Sequence, residues 1–119
     1  MLALSPFQLA DMTGETRSFS GKAQTIVCFI KEDCPTCQEV MPVLVAMHET
    51  LSQHLEFLVI GQTVDGNRQL QEQFALPFSL LDDSALKVSF ATDIETVPTL
   101  LVTDSDGSTV TVSYTHLTL

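Results

Sequence analysis

An α/β fold, a sheet with helices on both faces, is what the order of patterns along this chain predicts. Three observations carry it. Residues 24–30 form a near-continuous apolar, β-branched run of the kind found in a strand buried on both faces. Directly after it, over 35–51, Val40, Val43, Leu44, Met47 and Leu51 recur at three- and four-residue steps, the mark of an amphipathic helix. Further apolar runs at 55–60 and 97–102 are separated by polar helical segments, so strands and helices alternate.

The elements follow in order. Phe7-Gln8-Leu9 alternates, and Asp11-Met12-Thr13-Gly14-Glu15-Thr16 reads as a turn with Gly14 at the strained position. A return through Ser18-Phe19 completes a small N-terminal β-hairpin. Gly21-Lys22 is a turn before the strand at 24–30. Pro35 suits the first position of the helix at 35–51, where its missing N–H would be unpaired anyway, whereas Pro42 lies inside the pattern and predicts a kink. Strands are expected at 55–60, 78–81 and 97–102, and helices at 67–74 and 84–90. Asp104-Ser105-Asp106-Gly107 is a hairpin turn feeding a last strand from Ser108.

The length of 119 residues, with 45% hydrophobic, suits one globular domain with a modest core. No repeat, low-complexity tract or interdomain linker interrupts it. The formal net charge of −10, spread along the chain, describes a solvated acidic surface and argues against an electrostatic grip on nucleic acid or anionic lipid. No apolar run approaches the roughly 20 residues of a membrane span. The opening Met1-Leu2-Ala3-Leu4-Ser5-Pro6 has neither a basic stretch nor a long apolar one, so no secretory signal is visible. That favours a reducing, cytoplasmic compartment; an incomplete N-terminus would leave a periplasmic or membrane-anchored location open.

Three cysteines are too few for a disulfide scaffold. Two of them form Cys34-Pro35-Thr36-Cys37 at a strand-to-helix junction, where a small disulfide can close and reopen. In the first turn of a helix Cys34 faces unpaired N–H groups and the positive end of the helix dipole, which favour its thiolate. Cys37, one turn further in, is placed to attack a mixed disulfide on Cys34. Glu32 and Asp33 oppose the thiolate by charge and Lys31 partly offsets them. Cys28, on the buried strand, reads as core packing. A two-Cys, two-His zinc site built from Cys34, Cys37, His48 and His54 is the competing reading. The helical pattern between the two pairs argues against it, and His48 and His54 read as helix-flank or surface residues.

Val97-Pro98-Thr99 opens an apolar strand, where proline is normally unwelcome. A cis Val97–Pro98 bond and an ordinary trans proline at a strand start both account for it. Beside a CxxC pair, such a turn offers a substrate backbone an edge to pair with.

Taken together, these residues resemble the thioredoxin-like superfamily, and within it the redoxin branch of TlpA/ResA-type thiol–disulfide oxidoreductases and MauD-like proteins. The match runs from about Leu4 to Val110 through Ser5-Pro6-Phe7-Gln8-Leu9, Gly14, Phe19-Ser20-Gly21-Lys22, Cys34 and Cys37, Pro42, Val97-Pro98-Thr99 and Asp106-Gly107. The resemblance implies a central mixed sheet flanked by helices, with Cys34 as nucleophile, Cys37 as resolving thiol and Pro98 as a cis-proline opposite them. Pro35, Thr36, Val97 and Pro98 would meet the substrate. Protein thiols or disulfides, and an upstream or downstream redox partner, would be its partners. No metal and no organic cofactor is required beyond the redox-active Cys34–Cys37 disulfide.

The chain departs from the pattern in three places. The buried acid often found six residues before the first cysteine is Cys28 here, and the glutamate three residues after the second is Val40, with Glu39 on another helical face. Lys31 and Val27 stand where a peroxiredoxin would carry Thr or Ser and Pro, which argues against a peroxidase. A thiol–disulfide oxidoreductase is therefore expected; the other readings are a non-catalytic thioredoxin-like interaction domain and, less favoured, a peroxiredoxin-like antioxidant protein.

The final residues, Val112 to Leu119, are the octapeptide that GTC TCT TAT ACA CAT CTG ACG CTG, a transposase mosaic end followed by sequencing adapter, gives when read in frame. The expected organisation is thus a thioredoxin-like domain over 1–111, lacking the family's C-terminal helix, and an adapter-derived tail over 112–119. An exposed apolar sheet face and edge would follow from the missing helix.

Overall fold

The computed structural model describes residues 4–106 and 108–113. Its centre is β3 (Thr25–Phe29), buried at all five positions. β3 runs parallel to β4 (Glu56–Gly61) on one side and antiparallel to β6 (Thr99–Thr103) on the other. β5 (Leu81–Asp82) extends the sheet beyond β4 and β7 (Thr109–Ser113) beyond β6, giving the order β5-β4-β3-β6-β7. β1 (Phe7–Ala10) and β2 (Thr16–Phe19) form a separate hairpin, with Phe7 opposite Phe19 and their rings stacked 5.6 Å apart. Gly14 makes its turn at φ +91°, a left-handed angle that glycine adopts without strain. The hairpin reaches the sheet through a bridge between Asp11 and Leu81.

Alternation along the strands divides the core in two. Ile26, Cys28, Val59 and Leu100 lie under α1 (Pro35–Leu51) and α2 (Val64–Phe74), against Cys37, Val40, Met41, Leu44 and Leu70. Val27, Phe29, Leu58, Ile60 and Leu101 pack on the other face against Phe19 of the hairpin and Val88 of α3 (Lys87–Ala91). Each large aliphatic side chain buried this way contributes about 2 kcal/mol, and Met41 and Leu44 are completely enclosed. The sheet therefore carries helices on both faces, as the alternating pattern predicts.

α1 spans the predicted 35–51, with Pro35 in its first turn and Cys34 as N-cap. It is continuous through Pro42, whose ring faces solvent. Other boundaries differ from expectation, each for a local reason. α2 begins at Val64 rather than 67, because the Thr63 hydroxyl accepts the N–H of Gly66 at 2.9 Å and caps the helix earlier. The short strand expected at 78–81 is displaced to 81–82, where Leu81 pairs with Ile60 and Leu80 donates its N–H to the Gln71 side chain. α3 starts at Lys87 rather than 84, since Asp83 accepts the N–H groups of Val88 and Ser89 and Leu86 turns left-handed at φ 57°. β6 starts at Thr99, so Pro98 precedes the strand instead of opening it.

Val112 and Ser113 complete β7 opposite Leu100 and Thr99. Gly107, the rest of the tail from residue 114 and the expected absence of a C-terminal helix lie outside the described residues. Among the described residues, no helix is long and apolar enough to cross a membrane.

Candidate functional site

Because β3 and β6 are antiparallel with Phe29 opposite Thr99, the loop leaving β3 and the loop entering β6 emerge at the same end of the sheet. The first carries Cys34 and the second carries Val97 and Pro98. The Val97–Pro98 peptide bond is cis. The Thr99 hydroxyl donates to the Thr96 carbonyl at 2.6 Å and ties this turn down. The Cys34 thiol lies 3.6 Å from the Val97 carbonyl, which accepts from it. Two segments 63 residues apart thus meet around one sulfur.

All three cysteines are free thiols. Cys34, half-buried, has the extended backbone of an N-cap, and its Sγ accepts the N–H of Cys37 at 3.4 Å. A sulfur there sits at the positive end of a 17-residue helix. Cys37 is wholly buried, and its Sγ accepts the N–H of Lys31 at 3.4 Å. Burial pushes the Cys37 thiol from its ordinary value near 9 up to about 12; the Lys31 N–H pulls the other way, while Cys34 and Asp33 reinforce the rise. Cys28 is enclosed behind Cys37, and burial, followed by the charge of Cys37, raises its thiol further still. The two cysteines of the motif therefore differ in kind: Cys34 is partly open to solvent, and Cys37 is closed off from it.

Of the other predicted site residues, Pro35 is exposed beside Cys34 and Thr36 is half-buried. Pro98 is buried, and Val97 is half-buried with its carbonyl toward the thiol. Val40 points into the core. Lys31 pairs with Asp33 at 3.6 Å, with both side chains exposed.

The zinc constellation does not assemble. His48 lies eleven residues along α1 from Cys37, a separation of about 16 Å at 1.5 Å per residue. Its ring sits among Phe57 and Phe78, with centroids 5.6 and 5.1 Å away. His48 is thus a half-buried member of an aromatic cluster in the last turn of α1, and His54 beyond the helix is exposed.

Sequence reasoning missed Asp11 and Asp83, both buried, and the contact between Glu32 and Gly66. Thr13 two residues after Asp11, the pattern of a side chain capping its own turn, was the available signal for the first. The Glu32 contact joins distant segments and left no local signal.

No protein-family model matches this chain, and no curated protein does. Solved structures do match. A secreted disulfide oxidoreductase from Mycobacterium tuberculosis, homologous to E. coli DsbE, superposes with a TM-score of 0.77 at 18% identity, over 90% of this chain and 82% of its own. The exposed lipoprotein thioredoxin of Streptococcus pneumoniae gives 0.79 at 16% identity, covering 92% and 89%. The thioredoxin domain of a thiol–disulfide oxidoreductase from Bacteroides vulgatus gives 0.74 at 17% identity, covering 92% and 84%. At such identities the likeness establishes architecture: the chain has a thioredoxin-like fold.

Proposed function

We propose that this chain is a thiol–disulfide oxidoreductase exchanging disulfides with protein substrates through Cys34 and Cys37. The observation that carries the reading is the asymmetry of the pair: a reachable sulfur at a helix N-cap, with a buried sulfur one turn behind it. As a thiolate, Cys34 attacks one sulfur of a substrate disulfide. The substrate S–S bond breaks, and its second sulfur leaves as a thiolate and takes up a proton. Cys37 then gives up its proton and attacks Cys34 Sγ, which closes the Cys34–Cys37 disulfide and releases the first substrate sulfur. Two electrons pass from the protein dithiol to the substrate, and the reverse sequence oxidises a substrate dithiol. The dithiol carries both electrons, so the reaction calls for no metal and no organic cofactor.

The geometry supports specific roles for the surrounding residues. Val97, with its carbonyl beside Cys34, and Pro98 form an edge along which an extended substrate backbone would lie, with Pro35 and Thr36 flanking it. Likeness to solved thiol–disulfide oxidoreductases is in keeping with this chemistry.

Reduction of insulin disulfides with dithiothreitol as electron source tests the proposal. The wild-type chain is expected to accelerate precipitation of the insulin B chain, and Cys34→Ser to remove the acceleration. Equal, background-level rates for the two proteins across redox buffers would overturn it in favour of a non-catalytic interaction domain.

A further inference from the structure

Gly66 stands in the first turn of α2, a place where glycine weakens a helix relative to alanine. Its backbone is helical, so conformation does not call for it. Space does. A Cβ at this position would overlap the carboxylate of Glu32 and come within 2.6 Å of Thr63 Oγ1. Thr63 already accepts the Gly66 N–H as the N-cap of α2, so the hydroxyl is fixed. The missing side chain is the seat of a carboxylate from another loop.

Glu32 stands two residues before Cys34 and is held from both sides. Its carbonyl accepts from Gln38 Nε2 at 2.9 Å, which ties it to α1, and its side chain rests on α2. On either side of it, the Lys31 N–H reaches Cys37 Sγ and the Cys34 N–H reaches the Lys31 carbonyl at 3.3 Å. The first turn of an 11-residue helix carries partial positive charge, which favours a carboxylate against it. Asp33, the other acid of this loop, is exposed and pairs with Lys31.

We propose that Glu32 is a positioning residue for Cys34: seated against Gly66 in the first turn of α2, its carboxylate fixes the loop over residues 31–33 and keeps its own charge off the sulfur. The inference rests on the reading of Cys34 as the attacking thiol and adds α2 to the elements that govern it. Filling the seat would displace the carboxylate into the loop and loosen the contacts on both sulfurs. Removing the carboxylate would make the filled seat harmless.

Iodoacetamide alkylation of the reduced full chain, followed at the Cys34 peptide by mass spectrometry, tests this at neutral pH and low salt. Gly66→Ala is expected to slow alkylation of Cys34 by about two- to fivefold, the range set by one charge at a helix terminus. The Glu32→Ala, Gly66→Ala double variant is expected to react at the rate of Glu32→Ala alone. A merely structural role for Gly66 would leave the reaction rate of the sulfur unmoved. Alkylation needs no redox partner, so a failed insulin assay would overturn the proposed function and leave this cycle readable. Should Gly66→Ala not fold, Glu32→Gln decides, with a rate no more than about twice that of wild type expected for a charge already compensated. An unchanged rate in Gly66→Ala, a loss in the double variant beyond that of Glu32→Ala alone, or a larger acceleration in Glu32→Gln would overturn the proposal.

Discussion

Cys28 beneath α1 and Cys37 within it are wholly buried, and Asp11 and Asp83 are almost as deeply buried beside β5, yet the two regions are built on different terms. The Asp11 carboxylate accepts from the Thr13 N–H and hydroxyl, the Glu15 N–H and Arg17 Nε, and Asp83 accepts from the Val88 and Ser89 N–H groups and the Ser89 hydroxyl. Against these, Cys37 accepts a single N–H, from Lys31. A carboxylate is enclosed only where a neighbouring turn supplies its donors, because a bare buried charge is very costly. A thiol is enclosed with almost none, because it is neutral until something removes its proton. The sheet face around Cys28 and Cys37 is therefore apolar, and the buried carboxylates lie beside β5 with their donors.

Three experiments would sharpen or break this contrast. The largest effect is expected at Asp83, where Asp83→Ala strands two buried N–H groups at the start of α3. A loss of about 3 kcal/mol in urea unfolding is expected, against about 1 kcal/mol for Ser89→Ala, which removes one bond. Equal small losses from both would mean that α3 does not depend on the carboxylate.

Next comes the alkaline limb of stability. Folding raises both buried thiols above their unfolded values, so above pH 9 the unfolded chain binds fewer protons than the folded one. Stability is full below that pH and is lost as pH rises toward 12, with a slope of about 1.4 kcal/mol per pH unit for each thiol. Cys28→Ala should remove one thiol's share of that slope, as read from denaturant midpoints between pH 9 and pH 10.5. An unaltered slope would remove Cys28 from the account.

The smallest effect belongs to the acid limb. Burial pushes the Asp11 carboxyl up, but its bonds to Thr13, Arg17 and Glu15 outweigh this and hold it below the ordinary value of 3.8. A depressed carboxyl stabilises the fold above its unfolded value, and that share is lost as pH falls through the folded one. Asp11→Asn should flatten thermal stability below about pH 4 while lowering it at pH 7. Parallel acid profiles for variant and wild type would show that other groups govern that limb.

Much of this contrast lay beyond the reach of the sequence, for physical reasons. The bounds of α1 were legible because its apolar period, Pro35 and the N-cap at Cys34 all mark one helix. β3 was legible because five consecutive apolar or β-branched residues suit burial on both faces. α2 was misjudged at its start because Gly66 argues locally against a helix, and the contact that explains it comes from Glu32, far away in sequence. α3 was misjudged because its start is set by the Asp83 side chain rather than by propensity. At the site, the deeper burial of Cys37 was legible from its place one turn into the helix. The Val97 carbonyl beside Cys34 required the antiparallel pairing of β3 with β6.

That pairing also puts the site on a clock. The Val97 carbonyl that faces Cys34 lies 63 residues further along the chain. At cellular rates of synthesis the interval between the two is about 3 to 13 s. Throughout that interval the nascent chain carries both cysteines of its motif, while β6, the strand that brings the facing carbonyl, has yet to be made. The ribosome-bound chain presents both thiols before it holds the turn that faces them.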